Sequence, residues 1–295
     1  MNTPIVIELK TSALMLAGIG RDEFEAVLKN ALKAGSRPVE NVVAGSMYGA
    51  EASSDQPEPE KGVQILPIIG MMTKYARYDW QSDSLDCIVS PGIDDIARAI
   101  EEAETNDNII GSVLLMNTCG GSVQSWIRIE DVLKNRKKPV VAVVDGICAS
   151  AGVYVAVFCD RIYALHKTCQ IGSIGVMAQL IDDKEAMKKW GYRLIEVYPP
   201  ESKYKNKDII EALKGNTGLL ITEHLSPLAK HFQDTVRTYR PHLDESVEGL
   251  LEGKMFYADD AEKAGLIDGI CSLKEAVISV ANIANEHQDI INFIH

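Results

Sequence analysis

A serine with small neighbours, Ser150, is the first candidate for chemistry in this sequence. It follows a β-branched run at 140–144 that is typical of a buried strand, and an Ala-rich stretch of helical composition surrounds it at 148–157. A hydroxyl at the start of a helix lies where backbone N–H groups converge. It can therefore act as a nucleophile, and the N–H of Ala151 can stabilise an oxyanion. Serine is far more often a plain helix N-cap, so Ser150 by itself does not decide the function.

A pair of glycines, Gly120 and Gly121, is the second candidate. They lie in the segment NTCGGS at 117–122, directly after a predicted strand and directly before a predicted helix. Glycines tolerate positive φ and expose their N–H groups, so either one can supply a second oxyanion donor. A simple glycine turn between a strand and a helix explains the same residues. A dinucleotide site is excluded because the pattern G-x-G-x-x-G is absent.

These residues lie in a chain that alternates between strand-like and helix-like patterns. Apolar runs and helical spacing predict strands at 63–69, 112–116, 140–144, 161–165 and 193–197, helices at 93–100, 123–132 and 183–189, and long helical segments from 217 to the C terminus. Alternation of this kind predicts an α/β fold in which crossover helices join parallel strands.

A break in composition divides the chain. Residues 50–62 combine Pro, Ser, Gly and charged residues without apolar periodicity, which is typical of a flexible linker. Before the linker, a strand-like run at 5–9 and a helical pattern at 24–32 predict an N-terminal extension over 1–49. After it, we expect one main domain over 63–295 that ends in C-terminal helices.

Composition excludes several classes of function. The 295 residues carry a formal net charge of -12, so the chain lacks the clustered Lys and Arg that non-specific nucleic-acid binding requires. Its six cysteines form no C-x-x-C pair and no zinc-like spacing with histidine, which predicts reduced thiols and no metal site. We also expect no cofactor. The early apolar stretch at 12–20 is too short to span a bilayer. We therefore expect no membrane span, no export and a cytoplasmic location.

Several short segments occur in a fixed order along the chain. They are NTCGGSV at 117–123, CASAGVYVA at 148–156, DRIYA at 160–164 and QIGSIGV at 170–176, followed by YADDA at 257–261 and GLIDG at 265–269. This set resembles the serine peptidases of the signal peptide peptidase A and protease IV family. Its character is closest to the head-maturation proteases of tailed phages and prophages. The resemblance covers about residues 63–269 of the chain.

The resemblance implies the fold shared by Clp proteases and crotonases, with the main domain as a peptidase domain. The positions carried over are Ser150 as the nucleophile, Gly120, Gly121 and Ala151 as the oxyanion hole, Asp160 as a structural residue, and Ile174 and Gly175 as the strand beside the substrate. The implied partners are a polypeptide substrate and further copies of the chain, because family members form rings of subunits. The phage branch also implies association with proheads.

The resemblance further implies a Ser-Lys dyad. Where Clp proteases place the catalytic histidine, this chain has Gly175, which disfavours a Ser-His-Asp triad. A lysine can act as a base only when neutral, which requires burial or a neighbouring cation. Lys203 lies thirty residues after Ser173 and best matches the family lysine, while the Pro-Pro-Glu lead-in at 199–201 leaves Lys205 open as the alternative base. Ser173 matches the family hydroxyl that orients the lysine amine.

Two positions depart from the family pattern. Cys119 stands where proline is usual, and Ala151 stands where signal peptide peptidases have glycine, the latter being closer to the phage branch. Neither departure removes a catalytic atom. Three other functions stay open: a soluble quality-control protease of the same family, a crotonase-like acyl-CoA enzyme that holds a thioester oxyanion with two N–H groups, and a non-catalytic capsid component.

Overall fold

A mostly parallel β-sheet organises the structure. The computed structural model describes residues 6–9, 44–45, 61–78, 88–90 and 92–294. The strands within these ranges are β1 (Val6–Leu9), β2 (Ala44–Gly45), β3 (Gly62–Ile69), β4 (Arg77–Tyr78), β5 (Ile88–Ser90), β6 (Ile109–Thr118), β7 (Val140–Ala149), β8 (Arg161–Ala164), β9 (Gln170–Gly172), β10 (Met255–Tyr257) and β11 (Gly269–Ile270).

Nine of these strands form one sheet in the described part of the chain. Its main order is β10-β9-β7-β6-β3-β1-β2, with β8 beside β7 and β11 beside β8. Only the pair of β10 and β9 is antiparallel among the strand pairs of this sheet that the structure describes. Strands β4 and β5 form a separate antiparallel pair.

Helices connect the strands and cover the sheet. In the described ranges they are α1 (Ile93–Glu104), α2 (Trp126–Asn135), α3 (Ala151–Ala156), α4 (Lys184–Lys189), α5 (Lys207–Leu213), α6 (Gly218–Leu220), α7 (Ser226–Tyr239), α8 (Ala258–Lys263) and α9 (Leu273–Ile294). A π-helical segment, Ile221–Leu225, joins α6 to α7. Crossover helices between parallel strands confirm the predicted α/β fold.

Two compact units make up the chain. The first comprises Met1–Ile174 and Val236–His295, and the second comprises Gly175–Thr235. The sheet, α1 to α3, α8 and α9 belong to the first unit, whereas α4 to α6 belong to the second.

One buried core cluster of the first unit lies between the sheet and α9. It contains Val63, Ile65, Val113, Leu115, Val141 and Val143 from the strands, and Leu273, Ala276, Val277 and Val280 from the helix. The strand residues alternate along each strand because successive side chains point to opposite faces. Gly111 lets α9 approach β6 closely, since a Cβ there would lie 2.5 Å from Cγ1 of Val280.

Strand β7 is longer than the sequence predicts and has two halves. Its first half pairs with β8, and its second half, from Ile147 to Ala149, pairs with β9. The register with β6 shifts between the halves, where Oδ1 of Asn117 accepts a hydrogen bond from the Ile147 N–H at 3.3 Å. Such a bulge bends a strand and redirects its end. The prediction of helix from residue 148 is therefore wrong, because pairing with β9 overrides the helical preference of Ala149.

Two other predictions have different outcomes. The strand predicted at 193–197 is not formed, and these residues have no regular secondary structure. The physical reason is that strand propensity needs a neighbouring strand, and none in the described part of the chain pairs with this segment. The helical pattern at 24–32 and most of the predicted linker at 50–62 lie outside the described residues, so the predicted domain boundaries stay predictions.

The carboxylate of Asp268 links separate segments of the first unit. Oδ2 of Asp268 accepts a hydrogen bond from the Ile162 N–H at 2.7 Å, and both Asp268 oxygens accept from the Arg240 guanidinium at 2.9 and 3.1 Å. Asp268 thus ties the end of α7 to β8, which gives the GLIDG segment a structural role. None of the helices in the described ranges combines the length and apolar character that crossing a bilayer requires.

Candidate active site

The backbone of Ser150 has an unusual conformation at the junction of β7 and α3. Its φ of 51° and ψ of -119° lie in a region that residues other than glycine rarely occupy. Two hydrogen bonds hold it there: the Ser150 N–H donates to the Gly172 carbonyl at 2.9 Å, and the Ser150 carbonyl accepts from the Tyr154 N–H at 3.1 Å. Strain of this kind clusters at functional sites. The side chain is half-buried and stands at the carboxyl end of the strand.

Gly120 lies directly against this serine. Its φ is +94°, and a Cβ there would lie 2.7 Å from Cβ of Ser150 and 2.9 Å from the nitrogen of Ala151. The Gly120 N–H donates to Oγ1 of Thr118 at 3.0 Å, so this donor is already occupied. Thr118 is held in turn by a hydrogen bond from its hydroxyl to the Gly70 carbonyl at 2.6 Å.

Gly121 is placed differently from Gly120. The chain at Met72 runs parallel to it, with the Met72 N–H donating to the Gly120 carbonyl at 2.8 Å and the Ser122 N–H donating to the Met72 carbonyl at 3.0 Å. This ladder leaves the Gly121 N–H on the opposite edge, where no acceptor lies among the described residues. The exposed Gly121 N–H and the first-turn N–H of Ala151 are therefore available to a ligand.

Ser173 directly follows β9, as Ser150 directly follows β7. Ala149 and Gly172 are paired across the two strands, and Ser150 and Ser173 are the residues that follow them. Ser173 also has a positive φ, 54°, and its N–H donates to the Lys254 carbonyl at 3.0 Å. The structure thus brings the two predicted serines to the ends of neighbouring strands. The buried residue Ile174 follows Ser173.

The predicted lysines lie in the second unit. Lys203 follows the short 3₁₀ turn Pro200–Ser202, is exposed, and has its Nζ 5.6 Å from the Tyr204 ring centre. Lys205 is also exposed, and its N–H donates to the Ser202 carbonyl at 3.0 Å. Gly175 is the first residue of this unit. Ser150 belongs to the first unit, so the pairing of Ser150 with either lysine stays a prediction.

Two buried thiols of the described residues, Cys148 and Cys159, are poorly suited to act as nucleophiles. The cysteines of the described residues, Cys119, Cys148, Cys159, Cys169 and Cys271, are all free. Burial raises the pKa of the Cys148 thiol strongly and raises that of Cys159 to about 12. A buried neutral thiol packs as a small apolar group, and Cys148 contacts Sδ of Met116 at 4.0 Å. Within the described part of the chain, His, Cys, Asp and Glu side chains form no group suited to a metal ion.

Sequence reasoning missed two parts of the site. One is the segment at Met72, which lies beside Gly121 although it follows β3 without a strand pattern of its own. The other is Tyr154, which the motif CASAGVYVA contains and which the predicted roles left out. A large aromatic residue in an otherwise small-residue helix was the available signal for the second.

The chain is similar in sequence to known proteases. Peptidase family S49 matches residues 132–286 of the chain. A protein of Methanocaldococcus jannaschii named as a protease, MJ0651, is 30% identical over 194 residues, which cover 63% of this chain and 60% of that protein. Protease 4 of Haemophilus influenzae is 27% identical over 216 residues, which cover 67% of this chain and 32% of that protein. The chain therefore spans 60% and 32% of the lengths of these relatives.

Among solved structures, a mutant of the 1510-N membrane-bound stomatin-specific protease is similar at a TM-score of 0.47 and 17% identity, over 73% of this chain and 82% of that chain. The family match rests on sequence and includes Ser150 and Ser173. Since it extends over more than half of the 295 residues, the chain belongs to Peptidase family S49.

Proposed function

We propose that this chain is a serine endopeptidase that cleaves peptide bonds through an acyl-enzyme formed on Ser150. One observation carries the proposal: Ser150 is held at a strained strand end beside two N–H groups that lack acceptors among the described residues. A serine hydroxyl in that position can attack a carbonyl, and the two donors can stabilise the resulting oxyanion. Membership of a peptidase family favours this reaction over crotonase-like acyl-CoA chemistry and over a non-catalytic capsid role.

We assign the oxyanion hole to the N–H groups of Ala151 and Gly121. The sequence offered Gly120 and Gly121 equally, but the Gly120 N–H already donates to Thr118. Gly120 contributes in a different way: because it has no side chain, the loop that contains Gly120 and Gly121 can pack directly against Ser150. An oxyanion hole works when its donors are fixed before the reaction, and the Met72 segment fixes this loop from its other edge.

We infer that the substrate binds as an extended polypeptide. The edge of the loop opposite Met72 is unpaired at Gly121 in the described structure, so a peptide backbone can add there as a further strand. Ile174 and Gly175, which follow the second serine, are the predicted residues on the other side of that peptide. Backbone pairing of this kind selects for unfolded or extended segments rather than for one side chain.

Lys203 is our proposed general base, with Lys205 as the alternative and the Ser173 hydroxyl as the group that orients the amine. A lysine accepts a proton only when it is neutral, and removal from water favours the neutral form. Both lysines are exposed in the isolated chain. We therefore propose that bound substrate or a neighbouring copy of the chain completes the burial of the catalytic amine.

We further propose that this chain is a cytoplasmic protease of a prophage and that it cleaves capsid proteins during maturation of the prohead. The alternative role is that of a soluble protease in protein quality control. The sequence features behind this choice are the extension at 1–49 and Ala151 in place of glycine. Capsid and portal genes beside the coding sequence distinguish the two roles.

Exposed apolar residues of the second unit support the proposed homo-oligomer. Trp190, Tyr192, Ile195 and Val197 are 65–84% exposed within one short segment. A monomer rarely exposes apolar side chains in such density. Strand-like residues at 193–197 that have no partner strand in the described part of the chain favour pairing with another chain. We propose that copies of this chain associate through this segment.

Two alanine variants test which lysine, Lys203 or Lys205, is the general base. Lys203→Ala should lower kcat on a casein-like substrate by about 10²–10⁴-fold, the usual contribution of a general base, whereas Lys205→Ala should stay near wild type. Wild-type activity should rise toward alkaline pH because the base must lose its proton first, and this rise should disappear in Lys203→Ala. Ser150→Ala gives the inactive baseline. The reverse pattern moves the base to Lys205, and two fully active lysine variants would rule out the dyad.

The close approach of the glycine loop is tested by Gly120→Ala. The methyl group would collide with Ser150 and Ala151, so kcat should fall by about 10²-fold, the order of effect of losing one oxyanion donor. Gly253→Ala is the matched control, because Gly253 has the same φ of +94° and nothing lies within 4 Å of an added Cβ. Comparing kcat of the two variants separates the effect of the steric clash with Ser150 and Ala151 from the effect of placing alanine at a positive φ. Full activity of Gly120→Ala would contradict the assigned geometry.

The association surface is tested by charge insertion. Ile195→Glu and Val197→Glu should convert an oligomer into a monomer in sedimentation velocity, because a carboxylate buried in an apolar interface is costly. Ile127→Glu is the control, since Ile127 is 65% exposed on α2 and Ile195 is 67% exposed. A monomeric wild type, or variants that sediment as the wild type does, would refute association through this segment.

A further inference from the structure

A buried cluster joins the two helices that lead away from the site. Helix α3 begins immediately after Ser150, and its first residue is Ala151. Helix α2 follows the Gly121 loop through a 3₁₀ turn capped by Ser122, whose Oγ accepts the Gln124 N–H at 3.2 Å. The relative position of α2 and α3 therefore sets the separation of the two proposed oxyanion donors.

Tyr154 connects these helices. Its side chain is fully buried, and its ring stacks on that of Trp126 with the centres 3.9 Å apart and the planes 13° apart. Its hydroxyl donates to Oε2 of Glu130 at 2.6 Å. Trp126 and Glu130 are one turn apart on α2, so Tyr154 contacts a single face of that helix. Its N–H donates to the Ser150 carbonyl, which links the cluster directly to the nucleophile.

The acceptor of this hydrogen bond is itself fixed. Oε1 of Glu130 accepts a hydrogen bond from Nζ of Lys134, and this bond raises the pKa of the lysine. Nζ of Lys134 also lies 5.3 Å from the centre of the Phe158 ring, and that ring meets Tyr154 edge-on at 5.5 Å. Phe158 packs in turn on Tyr239 at 4.5 Å. A hydrogen bond to a carboxylate is stronger than one between neutral groups, so Glu130 is a firm anchor.

Helix α3 needs such an anchor. It has six residues, far fewer than an isolated helix requires, and its other side chains are small or aliphatic. It also begins at a strained residue, whose conformation persists only when the surroundings hold it. Tyr154 carries the only polar side chain of this helix, so it alone can fix the helix by a directional side-chain bond.

We propose that Tyr154 and Glu130 are positioning residues that hold Ala151 and Gly121 at the separation an oxyanion requires. This inference rests on the proposed peptidase function and adds to it the device that sets the width of the oxyanion hole. Neither side chain touches the substrate. Their effect on the reaction passes through Ser150 and the two backbone donors.

Tyr154→Phe is the direct test, because it keeps the ring stack and removes only the hydroxyl. We expect kcat to fall about tenfold while KM changes less than about twofold, since misplaced donors weaken transition-state stabilisation more than ground-state binding. Tyr163→Phe is the matched control: it removes a hydroxyl that lies 3.2 Å from Oγ of Ser279, away from the site, and should leave kcat unchanged. All assays are run well below the unfolding temperature of each variant.

Variants of Glu130 on α2 test the same hydrogen bond between Tyr154 and Glu130. They replace Tyr154→Phe as the test if that variant does not fold. Glu130→Ala should reproduce the kcat loss of Tyr154→Phe, Glu130→Gln should restore most of the activity because an acceptor oxygen remains, and the double variant should be no worse than either single one. Wild-type kcat in Tyr154→Phe, or additive losses in the double variant, would overturn the positioning role while Ser150→Ala stays inactive. Hydrolysis that persists in Ser150→Ala would instead overturn the proposed function, and the positioning role with it.

Discussion

The backbone of Ser150 is held in a conformation that costs about 1–3 kcal/mol for a residue other than glycine. The rest of the site is arranged so that this conformation persists. The bulge in β7 turns the strand toward β9, the Gly172 carbonyl receives the Ser150 N–H, and the first turn of α3 holds its carbonyl. These contacts come from the sheet and from α3, so two different elements hold the strained residue.

Close backbone packing is the second requirement of the same geometry. Gly120 and Gly121 lie where an added Cβ would be within 3 Å of Ser150 and of Met72, respectively, and Gly172 lies as close to the Lys254 carbonyl. These three contacts pack backbone against backbone in the segments around Ser150. The proposed oxyanion donors are thereby fixed in the free protein, and pre-fixed donors are the ones that stabilise a transition state best.

Much of the fold was predictable from the sequence because buried strands and amphipathic helices leave clear periodicities. The runs at 63–69 and 112–116 and the helix beginning at Ile93 formed as expected. Short strands such as β9 and β10 were not predictable, since two or three residues gain their stability from the partner strand. For the same reason the strand expected at 193–197 did not form, since no strand among the described residues pairs with it.

The residues of the candidate site were predictable from the sequence, but the contacts that bring them together were not. Small residues around Ser150 and the paired glycines indicated a nucleophile and an oxyanion loop. The choice between Gly120 and Gly121 depended on a hydrogen bond to Thr118 and on a segment more than forty residues earlier in the chain. The contact of Tyr154 with Glu130 spans 24 residues and has no local signature. Whether Lys203 or Lys205 is the base depends on the conformation of the irregular segment that contains both residues. Hydrophobic periodicity does not specify the conformation of such a segment.

Covalent labelling tests the central claim, that Ser150 is an activated nucleophile, most directly. The folded protein is incubated with a fluorophosphonate probe, and the modified residue is identified by peptide mass spectrometry. A single adduct on Ser150, absent from heat-unfolded protein and from folded Ser150→Ala, is the predicted result. Folded wild-type protein that stays unlabelled, or an adduct on Ser173 that persists in Ser150→Ala, would contradict it.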